Sequence, residues 1–295
     1  MGRTVVVTGA SGGIGRATAL TLARAGFDVI GTVRTDAKAE PLRALAGAES
    51  LALRTELLDV ADPASCRAAF SRIAGMTGGG PWAVVNNAGV ALPGAVDDPS
   101  EQQVRELLDV NLLAPARIAS LVLPVMRQRG CGRIVNVSSI AGRLGVPFLG
   151  WYSASKHALK GLSHAMRMEA ARDGVRVVLI EPGIIDTPLW HTSARHIDAY
   201  RDSDFTGHYG MTGGIVRLAS RFPGPEVVAE AIRRALTAPR PRARYLVGAD
   251  AYWSAVAEAV TPLRWSDGFK EVSSGLRPAP ALLAPLVKRM LGSLR

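Results

Sequence analysis

Short, largely β-branched apolar runs alternate with longer stretches of helical period over residues 3–248. Arg3–Thr8, Phe27–Val33, a run from Leu51 to Val60, Trp82–Val85, Arg133–Ser139 and Arg176–Ile180 each read as strands. Between them apolar residues recur three and four apart, as in Ala158, Leu159, Leu162, Ala165, Met166 and Ala170, which places them on one helix face. Gly26 suits a helix C-cap, Asp62-Pro63 a helix start with Asp as N-cap, and Asp36 the cap of another helix. A long helical pattern over 101–129 contains Pro115 and Pro124, which bend or divide it, and a polar Asn111 between Val110 and Leu112. An unpaired buried amide is costly, so Asn111 needs a partner. Strands alternating with helices in this way predict an α/β fold with a parallel, doubly wound sheet.

Ligands of such sheets sit beyond the carboxyl ends of the strands, and the unusual residues gather there. After the first strand comes Gly9-Ala10-Ser11-Gly12-Gly13-Ile14-Gly15, then a helix start at Arg16. Glycines between strand and helix let backbone amides and a helix N-terminus approach a pyrophosphate. After the second strand, about 20 residues on, an acid would mark NAD. Arg34 and Thr35 stand there instead, which suits a ribose 2′-phosphate and so NADP(H) over NAD(H); a solvated loop charge is the other reading. The fourth strand runs into Asn86-Asn87-Ala88-Gly89, the fifth ends in Ser138-Ser139, and the sixth in Glu181-Pro182-Gly183.

Tyr152 and Lys156 stand four apart on a predicted helix, one turn from each other on the same face. One positive charge at ~4 Å is worth about 4 kcal/mol at a dielectric of ~20, or roughly three pKa units. That would bring a phenol from its usual alkaline range toward neutrality, where a general acid/base works best.

Together these pieces resemble the short-chain dehydrogenase/reductase family over residues ~3–248. The matching stretches are Thr8 to Gly15, Asn86-Asn87-Ala88-Gly89, Asn111, Ser139, Tyr152-Ser153-Ala154-Ser155-Lys156 and Pro182-Gly183. The resemblance implies a Rossmann-type sheet of seven strands in the order 3-2-1-4-5-6-7, with Arg244–Val247 the candidate for the seventh. It implies that Tyr152 exchanges a proton with the substrate oxygen, that Ser139 positions that oxygen, and that Lys156 lowers the Tyr152 pKa and holds the nicotinamide ribose. Asn111 would anchor a water linking Lys156 to solvent. Gly9, Ser11, Gly12, Gly13, Ile14, Gly15, Arg34, Thr35, Asp59, Val60, Asn87, Ala88, Gly89, Tyr152, Lys156, Pro182, Gly183, Ile185 and Thr187 would line the cofactor, with Asp59 at the adenine and Thr187 at the carboxamide. A homodimer or homotetramer is also implied. The implied activity is oxidation or reduction of a small-molecule alcohol or ketone; the same chemistry with NAD(H), and a cofactor-sensing binding protein without catalysis, are the alternatives.

Composition narrows this picture. The formal charge of +10 comes mostly from scattered arginines rather than a basic block, so it does not point to nucleic acid. Cys66 and Cys131 are two and unpatterned, which suits a reducing cytoplasm and no metal site. The chain runs from Met1 straight into its first strand, with no leader expected; Val6 breaks a myristoylation motif, and no run reads as a membrane span. Residues 186–222, with Trp190, His191, His196, Tyr200, His208 and Tyr209, are the expected substrate lid. Leu144, Val146, Phe148 and Trp151 suit either an apolar substrate pocket or core packing. Residues 249–295 form a helical extension of the single domain, ending in an amphipathic, basic segment from Leu282 to Leu294. That segment is expected to dock on its own protein rather than on a membrane.

Overall fold

The computed structural model describes residues 3–197, 199–209 and 222–278. It contains one sheet built from β1 (Thr4–Val7), β2 (Asp28–Val33), β3 (Leu53–Leu57), β4 (Ala83–Asn86), β5 (Gly132–Val137), β6 (Val175–Pro182) and β7 (Arg244–Val247). The strands lie in the order β3-β2-β1-β4-β5-β6-β7, and every neighbouring pair is parallel. Both the order and the seventh strand agree with the sequence reading.

Parallel sheets are covered on both faces, which is why the central strands are apolar throughout rather than alternating. Val5 and Val7 point to one face, where α1 (Gly13–Arg24) and α8 (Glu226–Thr237) supply Leu22, Ala23, Val228 and Ile232. Val6 points to the other, against α3 (Pro63–Thr77), α5 (Ala114–Arg129) and α6 (Gly150–Ala171), which supply Phe70, Ile73, Ile118, Met126 and Met166. Each such side chain contributes about 1.5–3 kcal/mol by leaving water. The sheet is thereby fixed in place, with its strand ends free to carry chemistry.

Asp62 caps α3 as expected, its carboxylate accepting from Ala64 N and Ser65 N. Asp36 does not cap. It is the first residue of α2 (Asp36–Ala48), Thr35 holds the N-cap position, and the Asp36 carboxylate is drawn to Arg43 at 2.6 Å. The 101–129 pattern is divided as predicted: α4 (Glu101–Leu108) passes through a π-helical turn, Asp109–Leu113, into α5, with Pro115 in the first turn of α5. Glu101–Arg129 is also long and apolar enough to cross a membrane by length and composition, whereas the sequence was expected to hold no such run. Here it joins β4 to β5, and Ile118, Val122 and Met126 pack into the core.

Beyond the sheet stand α7 (Pro188–Ile197), in the expected lid, and two C-terminal helices, α9 (Ala249–Val260) and α10 (Leu263–Ser273). These two are lightly packed: Ala251 is buried, whereas Trp253, Val260, Leu263, Trp265 and Phe269 are 67–74 % exposed. Lid residues 210–221, the His191 and His196 side chains, and the Leu282–Leu294 segment lie outside what is described.

Candidate active site

A cleft of about 370 Å³ opens at the carboxyl ends of the strands, within the ~300–1,000 Å³ range of small-molecule sites. The turn between β1 and α1 forms one wall. Gly9 and Gly13 there adopt φ of +68° and +50°, the left-handed region that glycine enters without strain. A methyl group on Gly15 would lie 2.2 Å from the Gly9 carbonyl oxygen, so glycine is what lets α1 start this close to β1. Gly9, Ser11, Gly12, Gly13 and Ile14 line the cleft, while Gly15 stands behind them. Asn87 braces the turn. Its Nδ2 donates to Thr8 O at 2.9 Å, and Thr8 Oγ1 accepts from Asn87 N and Ala88 N at 3.0 Å each.

Arg34, Asp59 and Val60 line the far end; Thr35 does not, being exposed at the start of α2. Arg34 is exposed and has no ion pair with the described residues. Asp36, the next carboxylate along the chain, is occupied by Arg43.

Ser139, Tyr152 and Lys156 meet at the opposite end, together with Asn87, Ala88, Gly89, Pro182, Gly183, Ile185 and Thr187. Tyr152 and Lys156 are each only 5 % exposed. Lys156 Nζ stands 5.7 Å from the Tyr152 ring centre and donates to Val137 O at 3.2 Å. Burial pushes the Tyr152 phenol up to about 12, partly opposed by a hydrogen bond with Ser139. Burial also brings the Lys156 ammonium down to about 8. This differs from the sequence expectation of a phenol drawn to neutrality by its lysine. The physical reason is desolvation, which disfavours both charged forms and outweighs their pairing in the chain alone.

Asn111 is 1 % exposed and hydrogen-bonded within the chain. Its Nδ2 donates to Val90 O and Ser155 Oγ, and its Oδ1 accepts from Val90 N. Ser155 Oγ in turn donates to Tyr152 O at 2.7 Å. The polar residue inside an apolar helix therefore ties the π turn to α6. It does not itself line the cleft.

With this geometry in view, comparison with known proteins is decisive. Residues 3–198 match the family described as short chain dehydrogenase. The chain belongs to it. Among relatives of this short chain dehydrogenase, the uncharacterized oxidoreductase YusZ of Bacillus subtilis is 38% identical over 208 residues, covering 69% of this chain and 72% of that protein. The NADPH-dependent 3-dehydrocapnine reductase of Ornithobacterium rhinotracheale is 32% identical, covering 83% and 88%. A solved short-chain dehydrogenase from Streptomyces avermitilis is 29% identical with a TM-score of 0.74, covering 94% of this chain and 98% of that one.

Other residues of this short chain dehydrogenase support the site without having been legible in the sequence. A buried polar ladder runs from Asn86 Nδ2 to Asn136 Oδ1 and from Asn136 Nδ2 to Ser163 Oγ, each step 2.8 Å, and joins β4 and β5 to α6. Arg143 donates twice to the fully buried Glu181, at 2.8 and 3.0 Å, which links the Ser139 turn to the end of β6. The aromatic wall beside Tyr152 is Trp190 of α7, edge-on with ring centres 6.3 Å apart. Leu144, Val146, Phe148 and Trp151 do not line the cleft. Phe148 is buried with Ala95, Tyr200 and Tyr209, and Val146 and Trp151 pack against the cluster that holds Tyr152. Phe148 is apolar because it is core, and an apolar loop gives no sign of which way it faces.

Proposed function

We propose that this oxidoreductase transfers hydride between NADP(H) and a carbonyl or secondary alcohol on a hydrophobic small molecule, with Tyr152 as general acid/base. The observation that supports this most is the convergence of Ser139, Tyr152 and Lys156 at one end of a cleft whose other end is closed by Arg34. The residues fit a dinucleotide: a tight glycine turn that a Cβ at Gly15 would force apart, and a cation where a 2′-phosphate would lie. When bound, the nicotinamide supplies or accepts the hydride.

The chain does the rest. Ser139 Oγ holds the substrate oxygen. Tyr152, protonated through neutral pH because burial holds it at about 12, gives its proton to that oxygen in reduction. Lys156 holds the ribose and places a positive charge behind the phenol, favouring phenolate as the proton leaves. Asn111 keeps Tyr152 in place through Ser155. Leu189 and Trp190 give the substrate end an apolar wall, consistent with a bulky apolar ketone or alcohol.

NADP(H) is favoured over NAD(H) because Arg34 is unpaired among the described residues while Asp36 is neutralised by Arg43; the NADPH-dependent relative agrees. A cytoplasmic homodimer or homotetramer without nucleic-acid partners completes the reading; light scattering checks the assembly. Loss of absorbance at the reduced-nicotinamide band, with ketones of graded size and either NADPH or NADH, tests the activity. NADPH consumption with apolar ketones supports the reading, and cofactor binding without turnover of any ketone or alcohol would favour a sensor instead.

A further inference from the structure

The segment after β6 bends at Ile184 on its way to α7. Gly183, Ile185 and Thr187 line the cleft, whereas the intervening amides turn away: Ile184 N donates to Asp250 Oδ2 at 2.6 Å and Asp186 N to Pro223 O at 3.0 Å. Anchoring the Ile184 and Asp186 amides outside fixes the course of the segment, and with it how Gly183, Ile185 and Thr187 meet the cleft. Asp250 belongs to the first turn of α9, far along the chain from Ser139, Tyr152 and Lys156. Two glycines make room for its carboxylate. A methyl on Gly183 would stand 2.1 Å from Asp250 Oδ2, and one on Gly248 would stand 2.4 Å from Asp250 Oδ1. Gly183 lacks a left-handed φ, so its need for glycine is spatial, and the space is taken by Asp250.

We infer that Asp250 is a positioning residue for the cofactor site: its carboxylate holds the Gly183–Thr187 segment against the nicotinamide end of the cleft, making α9 part of the site rather than an appendage. This rests on the reading of the cleft as a dinucleotide site. The hydrogen bond is charge-assisted, and it acts on one backbone amide that no other described residue satisfies.

The test is a double-mutant cycle on the full-length protein, reading NADPH dissociation constants and hydrogen exchange of the peptide containing Ile184. Asp250→Ala is expected to speed exchange at Ile184 without cofactor and to raise the NADPH Kd about five-fold or more, with Tm shifted by no more than about 2 °C. Asp250→Asn, which keeps an acceptor oxygen, is expected to restore most of the affinity. Gly183→Ala should weaken NADPH binding at least about three-fold more in the Asp250 background than in Asp250→Ala, because the methyl meets the carboxylate only in the first. Unchanged exchange at Ile184 in Asp250→Ala overturns the inference, as does faster exchange with NADPH affinity intact. Additive effects of the two substitutions would overturn the steric half. Failure of the wild-type chain to bind any nicotinamide cofactor would instead overturn the reading of the site, while exchange at Ile184 still reports on Asp250.

Discussion

Lys156 shows at the scale of a residue how a site opposes the stability of the fold that holds it. Its ammonium, ordinarily at 10.5, is lowered to about 8 by burial. Below pH 8 the folded chain carries the full cost of that buried charge. Between about 8 and 10.5 the unfolded chain binds more protons than the folded one, so stability rises with pH, and above 10.5 both forms are neutral. Lys156→Met should therefore raise the unfolding free energy by roughly 3 kcal/mol below pH 8, with the gain vanishing as pH approaches about 10.5, while turnover is lost. Denaturant melts at several pH values check this. Tyr152→Phe should cut turnover by roughly 100-fold or more while leaving NADPH affinity within about two-fold, since only the proton carrier is removed. Steady-state kinetics beside binding titrations separate the two effects.

Elements were legible where periodicity and punctuation agreed. The β-branched runs, Asp62-Pro63 and the proline-divided helix all appear where the sequence puts them. Asp36 misleads because Asp both caps and pairs, and Arg43, two turns along the same helix face, wins its carboxylate. The Asn86–Asn136–Ser163 ladder and the Arg143–Glu181 pair were invisible for another reason: their partners are 27 to 50 residues apart by no periodic rule, and only the strand order brings them together. Glu181 is fully buried and Arg143 largely so. Removing one partner strands a buried charge and is expected to destabilise the fold by roughly 3–5 kcal/mol, whereas the double replacement Arg143→Met with Glu181→Leu should recover most of that. Thermal melts of the singles and the double decide it. Persistent loss of kcat in the recovered double would show that the pair also places the Ser139 turn.

For the whole molecule, the sheet order gathers glycine turn, arginine, asparagine, serine and tyrosine at the carboxyl ends of the strands, although they come from positions 9 to 152 of the chain. The catalytic end was readable because its chemistry needs particular residue types at fixed spacing. The substrate wall was readable only in part: Trp190 lies in the expected lid and lines the cleft, whereas Phe148, equally apolar in sequence, is sent into the core by packing. At the far end, Arg34→Asp should raise the KM for NADPH by roughly ten-fold or more while lowering that for NADH, because the substitution exchanges a phosphate partner for a ribose partner. The two KM values measured with one ketone settle the preference.

Hydride transfer itself is followed most directly with NADPH deuterated at the transferable position of the nicotinamide, using an apolar ketone and mass analysis of the alcohol. Deuterium on the carbinol carbon with the wild-type protein, and none above background with Tyr152→Phe, is the expected result. Alcohol formed without label, or label delivered equally by Tyr152→Phe, would contradict it.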